Sequence, residues 1–249
     1  MPLATLHAVD RVRWLQTKQA EIAALRGQPL REVTPSRRDL SLYVRAQRSD
    51  LAVIARVQRI DPESGRDWKS LDLMAYAVTC DEAEVAALAV ATDEQRNGSL
   101  DLLRTVAAAT SAPVLRDDLI LHPSQLYDAR LHGADAAIFP AAELTADELH
   151  DLVGVADSLH MASVIEVQST SDLARALDLG KAIIGIGADL RTTRQLAREV
   201  PQNRTVVALQ EPSGIEAIRS LRGHVDAVVV GPLLLDSPEV AMTLAALTA

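Results

Sequence analysis

LAVIARVQRIDPESG, residues 51–65, reads as a buried strand running into a short polar loop. Its aliphatic run is too short for a helix and ends at the turn-forming residues Asp61, Pro62 and Gly65. The same unit then recurs to the end of the chain: an aliphatic run, a polar turn, an amphipathic helix. Strands are expected over 52–58, 86–91, 113–116, 136–139, 162–167, 182–187, 205–209 and 226–230. Helices are expected over 69–83, 98–110, 123–132, 145–159, 171–179, 191–199, 213–222 and 238–247. Runs such as AIIGI (182–186) and AVVV (227–230) suit parallel strands covered on both faces. Eight strands alternating with eight helices over about 200 residues predict the α/β class and a (β/α)8 TIM barrel. The rival is a doubly wound sheet. Gly185-Ile186-Gly187 closes a strand, but the third glycine of a dinucleotide fingerprint does not follow.

Ahead of the first strand, Ala8, Val12, Leu15, Ile22 and Leu25 fall on one helical stripe, and a second short helix is expected near 38–45. The organisation expected is one domain over 1–249, with a helical extension over 1–50 and a barrel over 51–249.

Composition narrows the function. Hydrophobic residues make up 48% of the chain, yet it holds one Phe (Phe139), two Trp and three Tyr, so the core must be aliphatic. A net charge of −9 argues against a nucleic-acid partner, which needs basic groups to displace counterions. The lone Cys80 excludes an intramolecular disulfide and a cysteine zinc site, and fits a reducing cytoplasm. The N-terminus is charged and lacks the apolar segment of a signal peptide. No apolar run reaches about 18 residues, so no membrane contact is expected. The six histidines are scattered without metal-ligand spacing, so neither a metal nor another cofactor is expected.

In a barrel of this kind, function gathers at the C-terminal strand ends and in the loops after them. There stand Arg56 and Gln58, Thr92 and Asp93, Arg116, Asp117 and Asp118, Glu166 and Gln168, Gly187 and Asp189, Gln210 to Gly214, and Gly231. At these positions the sequence resembles indole-3-glycerol phosphate synthase, a (β/α)8 barrel of tryptophan biosynthesis. The best-matched stretch is PVLRDDLILHPSQLYDARLHGADA (113–136), against the family's PVLRKDFIIDPYQIYEARxxGADA. NGSLDLL (97–103), IEV (165–167), IGI with ADLRT (184–192), PSGI (212–215) and VDAVVVG (225–231) extend the resemblance over nearly the whole chain.

The departures fall on the chemistry. The family's AEVKRASPSKG is ARVQRIDPESG here, so Arg56 stands for a glutamate and Gln58 for a catalytic lysine. Asp61 and Ser64 replace a serine and a loop lysine, and the loop is shorter. On the third strand Asp117 stands for the second catalytic lysine and Leu119 for a phenylalanine. The paired asparagines of GINNRDL become Gly187-Ala188. The ESG motif is split as Glu211-Pro212-Ser213-Gly214, and Pro232 follows Gly231 where a serine is usual.

The family reaction closes an indole ring. It needs a cationic general acid, a carboxylate to assist the leaving hydroxyl and a phosphate anchor. Gln58 has no proton to give, and an ionised Asp117 repels an anionic substrate. The chain holds three lysines, Lys18 in the extension, Lys69 and Lys181, none at a catalytic position. The resemblance therefore implies a paralogue that has lost synthase activity and binds a ligand or partner. The alternatives are a diverged lyase on another phosphorylated or anionic molecule, with Asp117 and Glu166 as acid and base, and a residual synthase. Glu166, Asp117 and Glu211 are the catalytic candidates, with Arg56 and Gln58 as degenerate positions. Arg59, Ser213, Gly214 and Gly231 are the substrate-binding candidates. Arg56, in the place of a glutamate, is expected to pair with Asp117 or Glu166, and such a cation would keep Glu166 ionised. The expected partners are a small anionic or phosphorylated molecule, and a protein partner or second copy of the chain.

Overall fold

A computed structural model describes residues 8–27, 32–47 and 49–249. Eight parallel strands close into a barrel in sequential order. They are β1 (Ala52–Val57), β2 (Ala87–Ala91), β3 (Val114–Asp117), β4 (Ala136–Pro140), β5 (Ala162–Val167), β6 (Ile183–Ile186), β7 (Val206–Ala208) and β8 (Ala227–Val230). The barrel is sealed by β1 pairing with both β2 and β8.

The helices are α1 (Ala8–Arg26), α2 (Leu40–Ala46), α3 (Leu73–Glu82), α4 (Leu100–Ala109), α5 (Pro123–Leu131), α6 (Ala146–Ser158), α7 (Thr170–Leu177), α8 (Leu190–Ala197), α9 (Ile215–Arg219), α10 (Pro232–Leu235) and α11 (Val240–Thr248). Several boundaries are set by caps. The helix expected from 69 begins at Leu73 because the Asp72 carboxylate takes the N–H groups of Met74 and Ala75. Ser99 caps α4, and Thr145 with Glu148 forms a capping box on α6. The helix expected over 213–222 shrinks to the five residues of α9. The short α10, where Pro232 stands at the first helical position, was not expected from the sequence.

Strand alternation sorts the aliphatic side chains into two layers. One set, including Val53, Val57, Leu88, Val90, Ile165 and Val230, packs outward under the helices. The other, including Ile54, Ala89, Leu115, Ile138, Val164, Val207, Leu209 and Val229, fills the barrel interior. Leu40 and Val44 of α2 join this interior set, so α2 closes the barrel at its N-terminal end. The α1 helix lies at the opposite end, where Trp14 packs on Leu119 beyond β3.

The turn after β2 shows how closely the mouth is packed. Gly98 donates its N–H to the Asp93 carbonyl at 2.9 Å, and a Cβ there would meet the Ala91 carbonyl oxygen at 2.2 Å. The clash is with backbone, so the strand end itself must move. Gly98→Ala is expected to cost about 3 kcal/mol, the upper end of ordinary overpacking. The measurement is the urea midpoint, which should fall at unchanged slope; a midpoint equal to wild type would contradict this packing.

Candidate functional site at the barrel mouth

The uppermost interior layer comes from the odd strands, as barrel geometry dictates. Extending the interior alternation of β1, β3, β5 and β7 places Arg56, Asp117, Glu166 and Leu209 in it. Branched aliphatics usually fill such a layer; here three of the four side chains carry charge. Arg56, Asp117 and Glu166 are 6%, 5% and 8% exposed.

Arg56 Nε approaches Asp117 Oδ2 at 2.8 Å, and its Nη2 donates to the Leu209 carbonyl at 3.1 Å. Arg96, from the 3-10 turn Glu94–Arg96 after β2, approaches the same Asp117 oxygen at 2.7 Å. Arg96 also pairs with Asp93 at 2.5 Å and donates to the Asp117 carbonyl at 2.5 Å. Burial alone would push the Asp117 carboxyl up; Arg96 and Arg56 override it and hold Asp117 well below the usual carboxylate range. The expected Arg56–Asp117 pair is therefore present, and an Arg56–Glu166 pair is not found among the described residues.

Glu166 corrects an expectation. Its Oε1 accepts from Gln168 Nε2 at 2.8 Å, and no cation pairs with it among the described residues. Burial, reinforced by nearby Asp117, raises its pKa instead of leaving the group readily ionised. Its carboxylate lies over Gly187, where a Cβ would meet Glu166 Oε1 at 2.6 Å. An asparagine at that position, as in the family motif, has no room beside this rotamer.

A second network caps β3. Lys18, which the sequence leaves in the extension, lies buried at the mouth with Nζ 2.6 Å from Asp118 Oδ2 and 2.8 Å from Glu21. Thr92 donates to Asp118 at 2.6 Å, and Arg116 bridges Asp118 at 3.1 Å and Glu21 at 2.8 Å. Strand alternation suggests that one carboxylate of Asp117-Asp118 faces a pocket. In fact both are buried and each is consumed by its own cations. Lys69 stands in the turn before α3, not at a helix start.

The open part of the mouth is a cavity of about 560 Å³ between the β1–α3 and β7–α9 loops, lined by Arg56, Gln58, Asp61, Glu211, Ser213 and Leu233 among others. Glu211 accepts the Gly231 N–H and, at 3.0 Å, the Leu233 N–H. A carboxylate of the chain thus occupies the backbone donors where the resemblance implies a phosphate. Burial raises Glu211, and those two backbone hydrogen bonds pull it partly back. Gly231 is covered as well, since a Cβ on it would lie 3.2 Å from Arg56 Cβ.

The other substrate-binding candidates divide. Gly214 lines the cavity with a φ of 89°, and Ser213 is exposed and does not cap α9. Arg59 turns away from the cavity. Its Nη1 donates to the Trp68 carbonyl at 2.5 Å and the Leu71 carbonyl at 2.7 Å, so it braces the loop and makes no ion pair among the described residues. Arg96 and Glu21 are missing from the sequence reading, and Lys18 is placed there only in the extension. The only signal for Arg96 was a buried-length spacing of three from Asp93, and for Lys18 nothing local points to a contact a hundred residues away. Among the described residues no group of three His, Cys, Asp or Glu is placed to hold a metal ion, and no helix is long and apolar enough to cross a membrane.

Comparison with known proteins agrees with this frame. A family model described as indole-3-glycerol phosphate synthase matches residues 8–247. The chain belongs to the indole-3-glycerol phosphate synthase family. A relative of that name from Parafrankia sp. (strain EAN1pec) is 34% identical over 230 residues, covering 87% of this chain and 83% of the relative. Another from Chlorobium chlorochromatii (strain CaD3) is 31% identical, covering 93% and 96%. A solved structure described as KGPDC from Streptococcus mutans shares the fold at TM-score 0.59 and 10% identity, covering 79% of this chain and 95% of that one. Against the family motifs, the substituted positions 56 and 117 meet in one ion pair, the substituted Gln58 lines the same cavity as Arg56, and the retained Gly231 lies against Arg56.

Glu166 gives a pH test. Its folded pKa lies above the unfolded value, so the folded chain holds the proton longer, and stability falls as pH rises through the raised value. Glu166→Gln keeps an acceptor for Gln168 and removes the charge. The variant is expected to be more stable than wild type near neutral pH, with the gain fading toward about pH 4. Urea midpoints measured across that range check this; a gain that stays constant with pH would contradict it.

Proposed function

We propose that this chain is a paralogue of the indole-3-glycerol phosphate synthases that does not close the indole ring and instead binds a small ligand or partner at the barrel mouth. The observation that carries the reading is the buried Arg56–Asp117 ion pair at 2.8 Å, which stands where the family motifs put a glutamate and a lysine. A guanidinium holds its proton far too tightly to serve as a general acid at neutral pH. Asp117 is held ionised between two guanidinium groups and has no proton to deliver. Gln58 cannot titrate. Lys18 is the one buried lysine among the described residues, and its ammonium is engaged by Asp118 and Glu21. Glu211 fills the donors that would receive the substrate phosphate.

A diverged lyase is the second reading, and one observation favours it. Glu166 is a buried carboxylate whose pKa burial raises, a property common among acid–base groups. Against it, Glu166 does not line the open cavity, and Asp117, its proposed partner, is neutralised by arginines.

Incubation with the synthase substrate, followed by indole fluorescence, tests the proposal. Loss of one general acid costs on the order of 10² to 10⁴ in rate. With both lysines replaced, turnover is expected below about one-thousandth of a working family member's. Turnover within tenfold of such a relative, roughly 1.4 kcal/mol in barrier, would overturn it.

A further inference from the structure

The cavity at the mouth has an inverted charge for a family whose substrate is a phosphate ester. Its volume of about 560 Å³ suits a small molecule. Among the described residues Arg56 is the sole basic one lining it, and that charge is spent on Asp117. Asp61, Glu63, Glu211 and Asp236 line it too. Asp236 is matched by Arg66 at 2.7 Å, while Asp61, Glu63 and Glu211 have no basic partner within ion-pair distance among the described residues. An incoming phosphate would have to displace Glu211 from the Gly231 and Leu233 N–H groups and then sit among carboxylates.

Gln58 supplies a second, independent observation. It is 2% exposed, lines this cavity, and its side-chain amide has no hydrogen-bond partner among the described residues. Buried amides are almost always partnered, by protein or by what the site binds. The amide offers one carbonyl acceptor and two N–H donors. Around it, Pro62, Pro212, Pro232 and Leu233 give the cavity an apolar wall.

We infer that the barrel mouth binds a small organic cation, a protonated amine on a compact apolar body, with the carboxylates of Glu211 and Asp61 and the Gln58 carbonyl receiving the ammonium and the proline-rich wall receiving the body. An ammonium has three donors and no acceptor, which matches a site rich in acceptors. Glu211 keeps lone pairs free after accepting its two backbone N–H groups, so it meets an ammonium without leaving the Gly231 turn. The inference rests on the non-synthase reading and gives that reading a ligand class.

The test uses two probes of like shape and opposite charge, phenethylamine and hydrocinnamate, with inorganic phosphate as a third, titrated calorimetrically into the full chain near neutral pH at low salt. Phenethylamine is expected to bind, and hydrocinnamate and phosphate are not. Glu211→Gln removes the charge and keeps an oxygen for only one of the Gly231 and Leu233 N–H groups, so it should melt below wild type while weakening phenethylamine about tenfold. Glu63→Gln, at an exposed position, should weaken it about twofold, an effect removed by salt. Equal or tighter binding of hydrocinnamate or phosphate overturns the inference. So does failure of all three probes to bind, or unchanged phenethylamine affinity in a folded Glu211→Gln. Indole turnover is read separately: its absence together with failed amine binding leaves the non-synthase reading standing and removes this one.

Discussion

Asp117 lies between two guanidinium groups inside the barrel, with Arg56 at 2.8 Å and Arg96 at 2.7 Å on the same carboxylate oxygen. Desolvating three charges is costly, and only near-complete mutual pairing offsets it. That requirement fixes much of the surrounding structure. Arg96 must be held by Asp93, which shapes the turn after β2 and forces glycine at position 98. Arg56 extends across the β8 end, where a Cβ at position 231 would press on its stem at 3.2 Å. With Arg56 committed to Asp117, Glu166 has no cation in an ion pair with it among the described residues and folds over Gly187, where Gln168 meets it.

The same logic ties the N-terminal helix to the barrel. Asp118 is buried beside this layer and needs its own cations, and Lys18 of α1 and Arg116 of β3 supply them. The α1 helix is therefore held to the mouth by a buried electrostatic clasp as well as by Trp14 on Leu119. A mouth that spends its arginines and its nearby lysine on internal carboxylates keeps few cations for a substrate. What remains open is acidic, with Glu211 already seated on the backbone donors of the β8 loop. The Arg56–Asp117 pairing and the acidic lining of the cavity thus belong to one arrangement.

The barrel was legible because its signals are local. Each aliphatic run and each helical stripe is read within about ten residues, and every predicted strand lies within two residues of the observed one at either end. Boundaries missed where a cap or a proline decided them, as at Asp72 and Pro232. The Arg56–Asp117 pair was also readable, because the two substitutions reverse charge at positions already known to share a site. Lys18 and Arg96 were not. Lys18 reaches Asp118 across a hundred residues, and no periodicity encodes such a contact. Arg59 misled for the opposite reason: retained from a family motif, it looks functional, yet it serves three backbone carbonyls of its own loop. Glu166 misled because its charge state depends on which neighbour claims Arg56, a competition that only side-chain geometry decides.

Positions 56 and 117 form one interlocked structural unit. A double-mutant cycle in urea unfolding, with Arg56→Met, Asp117→Leu and the double variant, measures it most directly. Each single change strands a buried charge, whereas the double change removes both and leaves Arg96 with Asp93. The predicted result is a coupling energy of about 2 kcal/mol or more, with the double variant more stable than Asp117→Leu alone. Strictly additive losses, with coupling below about 0.5 kcal/mol, would contradict it.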